Sequence, residues 1–104
     1  MSERRNESRV PGDDLQVQVW GVDTHGIPFM QTAFARNLSS KGALLCGIQQ
    51  ELRPGDLIGV QHRDKQARFR IVWIGYYSGN GHLTDAAVHR LDGECPWQEA
   101  LLRR

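Results

Sequence analysis

The chain has 104 residues, 39% of them hydrophobic and 24% charged, with a formal net charge of +1. That length suits one domain with a modest core, and so even a balance excludes a global field that would hold nucleic acid or a membrane surface by charge alone. Two cysteines, Cys46 and Cys95, make no disulfide framework.

No apolar run approaches the roughly 18–20 residues of a membrane helix, and the N-terminus lacks the apolar core of a leader peptide. Membrane insertion is therefore not expected, and a cytoplasmic setting with reduced thiols is. The basic residues are skewed, 11 Arg against 2 Lys. Arginine is the planar, bidentate donor suited to phosphate and to guanine edges, although GC-rich codon usage produces the same skew.

Residues 1–14 are polar, carry Arg4, Arg5 and Arg9, and end in Pro11-Gly12-Asp13-Asp14, which breaks regular structure. With no apolar face, they predict a flexible arm. Leu15 to Trp20 alternates apolar and polar residues as a half-buried strand does, with Leu15, Val17 and Val19 inward. Residues 21–26 predict a turn, and Ile27 to Arg36 a second strand, in which the uneven pattern of Phe29 to Phe34 suggests a bulge.

Asn37-Leu38-Ser39-Ser40-Lys41-Gly42 packs small hydrogen-bonding residues into a turn. Asn37 and Ser39 can bond the local backbone, and Gly42 can take a positive φ. Turns of this kind often aim backbone N–H groups outward at an anion. Short strands follow at Ala43–Ile48 and Leu57–Gln61, separated by the Pro54-Gly55 turn. Residues 62–66 predict a hairpin loop, and Phe69–Ile74 a strand with Phe69, Ile71 and Trp73 on one face. A glycine-rich loop over 75–82, a weaker strand over 83–91 and a short helix from Pro96 complete the chain, with Trp97, Ala100 and Leu101 as the helix's apolar stripe.

Six short strands at spacings of about ten residues, with turns between them, predict an all-β barrel or sandwich. The chemistry of the residues narrows the function. His25, His62, His82, His89 and the two cysteines form no paired metal-ligand spacing, so no metal is expected. No nucleophile elbow or triad signature surrounds Ser39 or Cys46, so the chain is not expected to be an enzyme. Trp20, Trp73, Tyr76 and Tyr77 could stack bases, but the balanced charge makes a poor track for a nucleic-acid polymer. A small anion fits better. In an extended arm, Arg5 and Arg9 lie on one side about 13 Å apart, and their guanidinium groups could converge on phosphate or guanine.

Arg5-Asn6-Glu7-Ser8-Arg9 matches RxxxR, and Asn37 to Gly42 matches [D/N]xSxxG, in that order and about 30 residues apart. Over residues 4–102 the chain resembles the PilZ domains, bacterial receptor modules for cyclic di-GMP. The resemblance implies a six-stranded antiparallel barrel over residues 15–104, with the arm, residues 1–14, closing over the ligand. It further implies that Arg5 and Arg9 hold phosphate and guanine, that Asn37 and Ser39 bind the other guanine edge or its ribose-phosphate, and that Gly42 allows close approach. Arg4, just before the first motif arginine, occupies a position that influences whether one ligand binds or an intercalated pair does. Trp73 could approach the ligand from the barrel surface, although core packing is its expected role.

Asn37 departs from the Asp of many similar domains, losing a charge that favours guanine N–H groups but keeping an acceptor oxygen. No cofactor is implied beyond the ligand itself. With no output domain attached, the resemblance implies signalling through a downstream protein partner, which the sequence does not identify. The alternative is a PilZ-like barrel that binds no nucleotide and serves as a protein-interaction module.

Overall fold

A computed structural model describes residues 14–76 and 83–102. The expected arm with Arg4, Arg5 and Arg9, most of the expected 75–82 loop, and Arg103 and Arg104 lie outside the described residues. Six strands, β1 (Leu15–Val22), β2 (Pro28–Arg36), β3 (Gly42–Ile48), β4 (Leu57–His62), β5 (Lys65–Tyr76) and β6 (Thr84–Gly93), precede one short helix, α1 (Gln98–Leu102). They close into an antiparallel barrel in the order β1-β2-β3-β6-β5-β4, with β4 pairing back onto β1. The six-stranded barrel expected from the sequence is the fold found.

Alternation builds the core. Val17 and Val19 on β1, Ala33 and Ala35 on β2, Ile58 and Val60 on β4, and Phe69 and Ile71 on β5 all point inward and are buried. Trp97, just before α1, is 1% exposed and stacks tilted on Phe69 with ring centroids 5.3 Å apart. It plugs one end of the barrel. Ala100 and Leu101 pack against the same core, as the expected stripe required.

Three local expectations are corrected. Strand β5 begins at Lys65 rather than Phe69, because Lys65, Gln66 and Ala67 pair with His62, Gln61 and Val60. The hairpin therefore narrows to Arg63-Asp64, with Arg63 at φ 59. The register of β1 on β2 runs unbroken from Leu15↔Ala35 to Val22↔Pro28, so the bulge expected in β2 is absent. Bulges fall elsewhere, one of them between Ile71 and Trp73, where Ile71 opposes Val88 but Trp73 opposes the very next residue, Ala87. The extra residue turns Trp73 outward. It is 52% exposed instead of packed in the core, and its ring lies over Gly75, where any Cβ would collide with it.

Candidate functional site

The segment between β2 and β3 is a tightly bonded turn. Asn37 takes a left-handed conformation at φ 53, which asparagine tolerates better than most residues. The Ser39 hydroxyl oxygen accepts the N–H of Lys41 at 3.2 Å and of Gly42 at 3.1 Å, while the Ser39 N–H donates to the Gly42 carbonyl at 3.0 Å. The amides of Ser39, Lys41 and Gly42 are thus spent inside the turn rather than aimed at solvent. The serine of the motif folds the loop, and Asn37 is left with an exposed side chain.

Gly42 also differs from expectation, since its φ is not positive. Glycine is needed there for close approach. A Cβ at 42 would land on the Val88 carbonyl oxygen of β6, inside van der Waals contact. Gly42→Ala should therefore push β3 off β6 and cost about 1–3 kcal/mol, read as a lower urea midpoint with an unchanged slope.

Two residues remote in sequence hold the turn from outside. The Trp97 indole N–H donates to the Ser39 carbonyl at 2.7 Å. Arg90 donates from its side-chain Nε to the Ser40 carbonyl at 3.0 Å and from its backbone N–H to the Lys41 carbonyl at 2.6 Å. A second Arg90 nitrogen reaches the Gly93 carbonyl at 2.9 Å, which fixes the guanidinium between the turn and the end of β6. Three consecutive turn carbonyls are tied down, so the loop is preorganised.

The root of the arm lies beside this turn. Leu15 pairs with Ala35, and the Asp14 carboxylate sits 3.0 Å from the Arg36 Nε, an ion pair whose N–H is not aligned for a hydrogen bond. Asp14 thereby stands next to the residue that precedes Asn37. Arg9 is five positions upstream, within about 17 Å of that root in a fully extended chain.

Beyond the turn spreads the outer face of β2, β3, β6 and β5. One cross-strand row reads Arg36, Leu44, Ala87 and Trp73, and the next, away from the turn, reads Phe34, Cys46, Asp85 and Gly75. Phe34, at 47% exposure, and Trp73 leave aromatic surface open to solvent. Burial, reinforced by the Asp85 carboxylate, pushes the Cys46 thiol up to about 11. The folded chain thus favours the protonated thiol, and stability gained from it is lost as pH rises from the ordinary thiol value through that of the fold. Because the thiolate is the nucleophile, iodoacetamide at pH 7.5 should alkylate Cys46 at least about tenfold more slowly than a free cysteine peptide.

Of the residues expected at the site, the described ones, Asn37, Ser39 and Gly42, occupy one turn, while Arg4, Arg5 and Arg9 lie outside the described residues. Asp14, Arg36, Arg90 and Trp97 form the turn's supports and were not singled out from the sequence as such. Only Trp97 had a local signal, its place on an apolar stripe. Among the described residues no cluster of three or more His, Cys, Asp or Glu could hold a metal ion, and no helix is long and apolar enough to cross a membrane. Comparison with protein-family models, with curated proteins and with solved structures finds no match for this chain.

Proposed function

We propose that the chain is a cytoplasmic receptor for cyclic di-GMP that acts by ordering its N-terminal arm and presenting the altered surface to a partner protein. The observation that carries this reading is the position of the arm's root. The Asp14–Arg36 pair sets it beside a preorganised turn with an exposed Asn37, at the edge of a barrel face that offers Trp73 and Phe34. Within the reach of the arm, Arg5 and Arg9 would hold phosphate and guanine against that turn. Asn37 would offer its amide to a guanine edge, and Trp73 a face for a base to stack on. Arg4 would bear on whether one ligand binds or a pair.

Ordering the arm costs roughly 1–2 kcal/mol per residue of backbone entropy, so several charge-assisted hydrogen bonds must form together for binding to be net favourable. The response would accordingly be an order–disorder transition rather than a small adjustment.

One observation favours the alternative, a barrel that binds no nucleotide and serves as an interaction module. Ser39 has a complete folding role in the turn without any ligand, so its presence is no proof of a site. Calorimetric titration of the full chain with cyclic di-GMP separates the two. Saturable heat with low-micromolar or tighter affinity is the expected result. Its absence at tens of micromolar would leave the interaction module as the reading to pursue.

A further inference from the structure

Most arginines among the described residues are already engaged. Arg36 faces Asp14, Arg63 faces Glu99, Arg68 makes a two-oxygen contact with Asp92, and Arg90 donates to the carbonyls of Ser40 and Gly93. Arg70 is different. It lies on β5 between the buried Phe69 and Ile71, so its side chain points to solvent, and among the described residues no carboxylate lies within 4.0 Å of it. Asp56, one position before its cross-strand neighbour Leu57, has an oxygen occupied by the Arg53 N–H at 2.8 Å.

The register gives this unpaired cation a location. Arg70 opposes His89 on β6, and His89 opposes Gly42 on β3, so the three form one row across the sheet. That row adjoins the Asn37–Gly42 turn, with Lys41 at its end and the Trp73 row beside it. Two strand spacings, about 10 Å, separate Gly42 from Arg70, and a long guanidinium side chain can lean back across His89. Asp85 is two rows away beside Cys46, and Asp92, one row away on the other side, is held by Arg68.

We propose that Arg70 is a ligand-binding residue that holds one phosphate of the cyclic dinucleotide from the barrel side. The inference rests on the receptor reading above and adds a phosphate contact supplied by the barrel itself. A planar fork suits this role, because it can give two parallel N–H donors to one phosphate group. An arginine held by a carboxylate would first have to break that pair; among the described residues Arg70 has none to break.

The test is titration of the full chain and its variants with cyclic di-GMP at several salt concentrations. Arg70→Ala should bind about 10- to 100-fold more weakly, with Arg70→Lys between it and the unaltered chain because charge remains but the fork is lost. The salt dependence of affinity should become shallower in Arg70→Ala, which a merely structural role would not produce. Circular dichroism checks the fold of each variant, and Arg70→Gln, which keeps the stem and polar tip, takes the place of Arg70→Ala should that variant unfold. If the unaltered chain binds and Arg5→Ala abolishes binding while Arg70→Ala stays within about threefold, or keeps the full salt slope, this inference is overturned and the receptor reading stands. If the unaltered chain does not bind, both are overturned.

Discussion

Trp97→Ala is expected to destabilise the barrel by about 3–5 kcal/mol, a large share of the roughly 5–15 kcal/mol that holds a domain together. Two losses combine. The indole is 1% exposed and leans on Phe69, so its removal opens a cavity at the end of the barrel. The Ser39 carbonyl also loses its donor, which loosens the candidate turn. Trp97→Phe separates these effects, since it keeps most of the packing but not the N–H. That variant should cost about 1–2 kcal/mol and shift the amide resonances of residues 39–42 more than those of β1 or β4. Urea titration gives the energies, and a cost for Trp97→Phe equal to that of Trp97→Ala would mean that the hydrogen bond, not the cavity, dominates.

The second large effect concerns binding. Arg5→Ala and Arg9→Ala should each weaken cyclic di-GMP by at least about 100-fold while leaving the unfolding midpoint unchanged. No hydrogen bond described within the barrel depends on the arm, and its root is held by Asp14 and Leu15 instead. Calorimetry measures the first quantity and thermal unfolding the second. Unaltered affinity in both variants would remove the arm from the site, and a lowered midpoint would mean that the arm packs on the barrel without ligand.

What the sequence revealed follows from the range of the forces involved. Strands with strict alternation, such as Leu15–Trp20, were legible because burying one face of a sheet imposes period two on the residues themselves. Trp73 was misread for the same reason. Alternation from Phe69 and Ile71 puts it inside, and only the pairing with Ala87 reveals the extra residue that turns it out. Lys65 and Gln66 looked like loop because strand ends facing solvent need no apolar signature.

The candidate site divides along similar lines. The turn was recognisable from Asn37, Ser39 and Gly42, whose roles are set by nearby backbone. Its supports were not, because Arg90 is 50 residues from Ser40 and Trp97 is 58 residues from Ser39. Nothing in a linear reading couples them. Gly42 shows the difference at a single position. The residue type was anticipated, yet its cause is the Val88 carbonyl on another strand rather than a local backbone angle.

The placement of β6 between β3 and β5 also has a temporal side. Its pairing with β3, like that of β4 with β1, joins segments far apart in the chain, and topologies of this kind fold slowly, on the order of milliseconds to seconds. On a ribosome, the Asn37–Gly42 turn emerges long before Arg90 and Trp97, the residues that brace it. A growing chain therefore carries the Asn37–Gly42 turn unbraced until Trp97 has been made, and the finished turn is a product of barrel closure rather than a template for it.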